Sequence, residues 1–114
     1  MVMGKAYVPE RGDYVWLQFT LQAGHEQAGR RPAVVVSPRT YNEKVGLALF
    51  CPITSQVKGY PFEVAIPRGA PIQGVVLSDQ VKSLDWRARL AEKIGQATPS
   101  VLQDVLGKIL VLIA

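Results

Sequence analysis

The sequence has few of the side chains with which most enzymes bind metals or form covalent intermediates. Its 114 residues contain one cysteine and one histidine, so no intrachain disulfide and no cysteine–histidine zinc site can form. No serine lies in a nucleophile-elbow motif, no carboxylates cluster at metal-ligand spacing, and no glycine-rich phosphate loop of the Walker type occurs. We therefore expect no metal and no cofactor. Any catalysis must depend on carboxylate, guanidinium and hydroxyl groups.

Long apolar runs are missing as well. The longest ones, residues 45–53 and 109–114, fall short of the ~18 to 20 residues that span a bilayer. The N-terminus lacks an apolar core followed by a small-residue cleavage site, which argues against a signal peptide. The lone Cys51 lies at the end of the apolar run 47–51 and is interpreted as a core residue. These features predict a cytoplasmic protein that does not bind membranes.

Hydrophobic residues and positive charge are what the sequence does have. Hydrophobic residues make up 48% of the chain and charged residues 19%, which favours one packed domain over residues 1–114. Thirteen Lys and Arg against nine Asp and Glu give a net charge of +4. That excess attracts a polyanion such as nucleic acid, although many other proteins are equally basic.

Alternating apolar and polar residues predict a mainly β domain. Residues 13–20 alternate as in a half-buried strand, with one face made of Val15, Leu17 and Phe19 and the other of Tyr14, Trp16 and Gln18. Further strands are predicted at residues 32–38, 47–53, 62–66 and 74–77, with one or two more within 81–94.

The last segment changes to a helical period. Thr98 and Pro99 suit the N-cap and the first helical position. Apolar residues then recur at helical spacing from 101 to 113, and this stripe is expected to dock the helix against the sheet. The predicted fold class is therefore mainly β with a C-terminal helix, arranged as a compact antiparallel β-barrel-like domain.

One polar segment concentrates groups that could do chemistry. Residues 21–31 contain Gly24 and Gly29 and are interpreted as a mobile loop. Within it an acid, an amide and two arginines lie close together, and such a loop can hold a phosphate. The residues alone equally allow a plain surface loop in which Glu26 and Arg31 form a weak exposed ion pair.

Four blocks of sequence resemble the MazF/PemK/Kid family of toxins. The segment from Gly24 to Pro38 is similar to the family's loop of the form x-E-Q-x-G-x-R-P followed by an apolar strand. The other blocks follow in family order, span roughly residues 7–114 together with the first, and are most similar to the enterobacterial MazF branch. They are residues 12–16, residues 52–56 with 58–62, and residues 76–83 with 86–89.

The resemblance implies an SH3-like β-barrel homodimer that cleaves single-stranded mRNA and is neutralised by a MazE-like antitoxin. It also implies that the catalytic arginine is Arg31, the loop glutamate is Glu26 and the strand threonine is Thr54. The Kid branch carries an arginine two residues before an aspartate. Asp79 fits the aspartate but Leu77 occupies the arginine position, which favours a mechanism based on Glu26 and Arg31.

A metal-free ribonuclease can use the 2′-hydroxyl of the RNA as its nucleophile. We assign Glu26 as the base and Arg31 to the scissile phosphate, because a guanidinium binds two oxygens at once but donates a proton poorly at neutral pH. Thr54, supported by Ser55, would hydrogen-bond the phosphate. The expected products are a 2′,3′-cyclic phosphate and a 5′-hydroxyl.

Other polar residues are predicted to bind RNA, and the two tryptophans could stack on bases. For Trp16 and Trp86, however, packing in the core or in a dimer is the favoured interpretation. The predicted RNA-binding residues are Gln27 and Arg30 near base edges, Ser55 at the phosphate, Lys58, Gln80, Lys82, Arg87 and Arg89 along the backbone, and Asp79.

Two other functions share this fold class. CcdB toxins act on DNA gyrase through a tryptophan-containing C-terminal end, whereas this chain ends in Val111-Leu-Ile-Ala114. A non-catalytic SH3-like module would bind RNA or protein without turnover. Only the residues of the loop argue against that second alternative.

Overall fold

The computed structural model describes residues 6–19 and 29–114. Within them lie seven strands and two complete helices, and a helix is the last element of the chain. The strands are β1 (Asp13–Gln18), β2 (Arg30–Val35), β3 (Leu47–Thr54), β4 (Glu63–Ala65), β5 (Val75–Leu77), β6 (Lys82–Asp85) and β7 (Glu92–Gln96); the helices are α1 (Arg39–Val45) and α2 (Pro99–Ile113).

The strands form one antiparallel sheet whose order is β4-β5-β3-β2-β1-β7, with β6 also paired to β3. Since β3 pairs with β2, β5 and β6, it is the strand on which the site described below is built. The predicted class, mainly β with a C-terminal helix, is confirmed. No helix of the described residues is long and apolar enough to cross a membrane.

The central strands are buried on both faces. One core cluster contains Tyr14 and Val34 together with Val101 and Val105 of α2, and the other is built around Phe50 and the remaining face of these strands. The expectation of a half-buried β1 is wrong for Tyr14 and Gln18, which are only 1% and 5% exposed, and holds on that face only for Trp16, which is 36% exposed. The helix α2 and the β4–β5 hairpin cover the face that alternation alone assigns to solvent.

Strand β2 begins at Arg30, two residues before the predicted start. Arg30 and Arg31 pair with Gln18 and Leu17 of β1, so both arginines lie on a strand rather than in the loop assigned to residues 21–31. Pairing between distant strands overrides the local signal of Gly29, which favours a loop. Strand pairing thereby fixes the backbone from which both arginine side chains extend.

Helix α1 was not predicted from the sequence. It begins after Pro38 and ends at Gly46, whose φ of 81° is the left-handed conformation that glycine adopts without strain. The fully buried Asn42 anchors it, because its amide donates to the carbonyl oxygens of Pro9 (2.8 Å) and Ser37 (3.1 Å).

Trp86 contacts the same helix, since its indole N–H donates to the backbone carbonyl oxygen of Asn42 at 3.1 Å. The ring is 3% exposed, which confirms the packing interpretation for this tryptophan. Trp86 therefore cannot stack on a base.

The start of α2 agrees with the prediction: Pro99 is its first residue and the Thr98 hydroxyl accepts a hydrogen bond from the amide of Val101 at 3.3 Å.

Thr98→Ala removes this cap and should lower the free energy of unfolding by about 1 kcal/mol. Urea titration at one fixed protein concentration measures the change. Ser100→Ala, at an exposed position of the same turn, is the control. An equal loss in both variants would mean that the cap bond adds no stability.

Candidate active site

A polar cleft of about 540 Å³ opens where the end of β3 meets the start of β2. The register that places Ala33 opposite Pro52, continued by two residues, brings Arg31 opposite Thr54. Both line the cleft, which we name cleft A, and so does Ser55. The predicted arginine, threonine and supporting hydroxyl therefore come together. The remaining residues that line cleft A are Trp16, Pro32, Ile53, Gln56, Ile72 and Gln73.

The hydroxyl of Thr54 is oriented by the backbone that follows it. Its oxygen accepts a hydrogen bond from the amide of Gln56 at 3.1 Å. A hydroxyl has one proton to donate in addition to its acceptor positions. Within the described residues Thr54 donates no hydrogen bond, so its proton is available to an oxygen of a bound phosphate.

The two neighbouring arginines have different surroundings. The guanidinium of Arg30 forms an ion pair with Glu92 at 2.8 Å and donates to the carbonyl oxygen of Leu90 at 3.2 Å. Arg31 is exposed, and its guanidinium has no hydrogen bond or ion pair to any residue from 6–19 or 29–114. Arg31 can therefore present both of its terminal nitrogens to an anion.

A second cleft of about 450 Å³, cleft B, adjoins the first. The two share Thr54 and Gln56, so a bound chain could pass from one to the other. Two predicted RNA-binding residues, Lys58 and Gln80, line cleft B. The rest of its lining consists of Tyr60, Glu63 and Leu77.

The polar groups of cleft B hold one another in place. The Glu63 carboxylate accepts hydrogen bonds from the amides of Lys58 (3.0 Å) and Gly59 (2.8 Å), which fixes the turn before β4. The Tyr60 hydroxyl donates to Asp79 at 2.8 Å. That hydrogen bond, with smaller effects of partial desolvation and of nearby carboxylates, raises the pKa of Tyr60. The phenol therefore stays protonated at neutral pH.

The sequence did not identify Gln56, Tyr60 or Glu63 as site residues. The turn from Lys58 to Phe62 was matched to a family block, but no pattern in it shows that Glu63 caps the turn or that Tyr60 reaches Asp79. These contacts depend on the pairing of β4 with β5. A glutamate five residues after a lysine would otherwise suggest only an exposed ion pair.

Five predicted RNA-binding residues lie outside the lining of both clefts, and one of them, Asp79, accepts the hydrogen bond from Tyr60. Their side chains have other contacts, and their contribution to RNA binding remains a prediction. Arg30 pairs with Glu92, Lys82 lies 5.8 Å from the ring centre of Phe19, Arg87 stacks at 4.9 Å on Trp86, and Arg89 donates to the carbonyl oxygens of Gln18 and Phe19. Glu26 and Gln27 lie outside the described residues.

Trp16 and Cys51 differ in exposure, and so in the roles open to them. Trp16 is 36% exposed and lines cleft A, so its ring can stack on a base beside Arg31. Cys51 is fully buried. Burial, with a smaller effect of Asp79, raises the pKa of the Cys51 thiol to about 12. The thiol is therefore protonated at neutral pH and is a core residue, as expected, rather than a nucleophile.

The described part of the chain brings together no three histidine, cysteine or carboxylate side chains at metal-ligand distances. Cleft A instead offers a guanidinium, two hydroxyls and an exposed indole. Guanidinium and hydroxyl groups bind phosphate oxygens, and an indole stacks on bases. The fold and the clefts thus define a small β domain whose exposed groups suit a single-stranded nucleic acid.

Residues 10–113 match the family of PemK-like, MazF-like toxins of type II toxin–antitoxin systems, and the chain belongs to this family. It is 53% identical over 111 residues to the endoribonuclease toxin MazF of Escherichia coli K12, which covers 97% of this chain and 99% of that relative. The endoribonuclease toxin ChpB of the same strain is 39% identical over 85% of this chain and 87% of its own length.

Solved structures agree with this assignment. MazF from Deinococcus radiodurans superposes with a TM-score of 0.86 at 55% identity, covering 95% of this chain and 98% of that one. The MazE–MazF complex from the same organism superposes with a TM-score of 0.85 at 48% identity, covering 95% and 97%. The resemblance inferred from the four sequence blocks is thereby confirmed.

Proposed function

We propose that this protein is the toxin of a toxin–antitoxin pair and that it cleaves single-stranded RNA endonucleolytically. The observation that carries the proposal is the meeting of Arg31, Thr54 and Ser55 in cleft A. The high identity to relatives named endoribonuclease toxins, over almost their whole length, supports it. We further propose a single domain spanning residues 1–114, a homodimer and a cytoplasmic location.

In the proposed reaction the 2′-hydroxyl of the RNA is the nucleophile. Glu26 removes its proton, the 2′-oxygen bonds to the adjacent phosphorus, and the bond from phosphorus to the 5′-oxygen breaks. The 5′-oxygen takes a proton from water or from an acid of the complex. Products are a 2′,3′-cyclic phosphate and a 5′-hydroxyl, and the reaction needs neither a metal nor a cofactor.

Arg31 and Thr54 stabilise the charge that develops on the phosphate. The guanidinium of Arg31 can bind two phosphate oxygens, and Thr54 donates its remaining proton from the end of a rigid strand. Among the described residues Arg31 has no partner that a phosphate would have to displace. Such preorganised donors stabilise an anion most strongly in a partly dehydrated cleft.

Cleft B extends the RNA site beyond the cut. Lys58 can pair with a neighbouring phosphate, while Gln80 offers both a donor and an acceptor to a base edge. Trp16, which lines cleft A, provides a stacking surface. The RNA is therefore expected to lie across Thr54 with one nucleotide in each cleft.

The proposed inhibitor is a MazE-like antitoxin. The Deinococcus radiodurans relative has been crystallised with MazE, and this chain carries a net charge of +4. An acidic, partly disordered antitoxin segment would be attracted to such a surface and would order on binding. By occupying the clefts, that segment would keep RNA away from Arg31.

Incubation of the purified protein with a long single-stranded RNA in excess EDTA tests the proposal. We expect discrete fragments on a denaturing gel, with 5′-hydroxyl ends that polynucleotide kinase labels directly. Addition of Mg²⁺ should not increase the rate, because the reacting groups all belong to the protein and the RNA. Intact RNA beside a folded protein would overturn the proposal of an enzyme. It would favour instead a gyrase-directed toxin or a non-catalytic binding module. Cleavage lost in EDTA would overturn the metal-free mechanism.

A further inference from the structure

Gly74 makes an unusually close backbone approach to the end of β3. It lies directly before β5 with a φ of +123°, in the left-handed half of conformational space that favours glycine. A Cβ built on Gly74 would lie 2.2 Å from the carbonyl oxygen and 2.9 Å from the carbonyl carbon of Thr54, and 3.3 Å from the Cα of Ser55. All three atoms are backbone, so a side chain could be admitted only if the backbone moved.

The surrounding hydrogen bonds leave Gly74 little room to retreat. Its carbonyl oxygen accepts from the amide of Ile66 at 3.0 Å, which ties it to the end of β4. The next residue, Val75, is the register partner of Thr54. A group inserted at Gly74 would therefore displace the Thr54–Ser55 peptide. The Thr54 hydroxyl, held by the amide of Gln56, would move with it.

We propose that Gly74 is a positioning residue for RNA cleavage. Without a side chain, it packs against the Thr54 carbonyl and holds the Thr54 hydroxyl at the distance from Arg31 that a phosphate requires. Gly74 lines neither cleft. This inference rests on the proposed role of Thr54 in the reaction.

Gly74→Ala is the direct test. Displacements of about 1 Å at a catalytic group lower rates by roughly 10²-fold, so we expect kcat to fall by about 10- to 100-fold. Affinity for a 2′-deoxy substrate analogue, which cannot react, should change by less than about threefold, because Arg31 and Lys58 are untouched. Single-turnover kinetics and fluorescence anisotropy measure the two quantities.

Gly69→Ala is the matched control. Gly69 lies in the same connection between β4 and β5 and also has a positive φ, +88°, but nothing would lie within 4 Å of a Cβ placed there. It shares the backbone strain without the contact at Thr54, so its kcat should stay within about twofold of the parent protein. An equal loss in both variants would assign the effect to strain and overturn the proposal.

A double-mutant cycle asks whether Gly74 acts through Thr54. If it does, Gly74→Ala combined with Thr54→Ala is no slower than Thr54→Ala alone, since the group being positioned is already absent. If the rate losses of the two single variants multiply in the double variant, Gly74 acts independently of Thr54, and the proposal is overturned. Unimpaired cleavage by Thr54→Ala would overturn the role of Thr54 and this inference together. If Thr54→Ala loses activity as expected while Gly74→Ala keeps full activity, the positioning role of Gly74 is overturned and the role of Thr54 stands.

The fold of each variant is checked by circular dichroism before kinetics. If Gly74→Ala is unfolded in buffer, the assay is repeated beside the parent protein in trimethylamine N-oxide, which favours compact states. Recovery of the fold with a low kcat supports the proposal. A chain that stays unfolded there would show that the fold as a whole requires Gly74, which overturns a specific positioning role.

Discussion

Arg31→Ala is expected to lower kcat for RNA cleavage by about 10³-fold, the size of effect seen when an arginine that meets a transferring phosphate is removed. The structure gives the reason, because Arg31 lines cleft A with Thr54 and uses none of its donors on the described protein residues. The backbone of Arg31 belongs to the strand β2. Single-turnover cleavage of a short RNA containing one cut site, at saturating protein, measures the loss.

The neighbouring arginine provides a contrast within the same strand. Arg30→Ala removes an equal charge, but Arg30 is paired with Glu92. We expect a change in RNA affinity of less than about tenfold and little change in kcat, as for a residue that binds but does not react. Arg39→Ala, on α1 and paired with Glu43, should have no effect. A loss in Arg30→Ala as large as in Arg31→Ala would mean that net charge, rather than cleft A, determines the rate.

The helix α2 and the strands were predictable because their signals are local. Thr98 and Pro99 mark the start of α2, and the apolar period from 101 to 113 requires no knowledge of the rest of the chain. Helix α1 has no comparable pattern. Its position depends on the buried Asn42, which bonds to Pro9 and Ser37. A seven-residue helix held by contacts with distant residues cannot be read from its own sequence.

Some residues of the candidate site could likewise be found from the sequence, and others could not. Family resemblance pointed to Arg31, Thr54 and Ser55, and residue type pointed to Lys58 and Gln80. The structure brings these five to two adjoining clefts. Resemblance transfers residue types at aligned positions, so it finds groups whose chemistry is recognisable.

Residues that act through geometry are harder to find in a sequence. Gly74 matters only because its Cα approaches the Thr54 carbonyl, and Glu63 only because its carboxylate reaches the amides of Lys58 and Gly59. A glycine before a strand and a glutamate at the start of one are common features. Their importance follows from the pairing of β3, β4 and β5, which the sequence does not state.

Glu26→Gln is expected to lower kcat by about 10²- to 10⁴-fold, the usual contribution of a general base. The amide keeps the size of the side chain but cannot remove the 2′-hydroxyl proton. A base works in its deprotonated form, so cleavage by the parent protein should decline on acidification, as the carboxylate becomes protonated. In Glu26→Gln this decline should be absent from the residual rate. Single-turnover rates from acid to neutral pH measure both effects.

The competing base is Asp79, the aspartate of the Kid-type mechanism. Its carboxylate accepts a hydrogen bond from Tyr60, and Leu77 stands where that mechanism needs an arginine. Asp79→Asn should therefore keep the acid decline and lose less than about tenfold in kcat. Glu43→Gln, exposed on α1, should match the parent protein throughout. If Glu26→Gln kept its rate while Asp79→Asn lost both rate and pH dependence, the base would be Asp79, and the reaction would run from cleft B rather than from the loop.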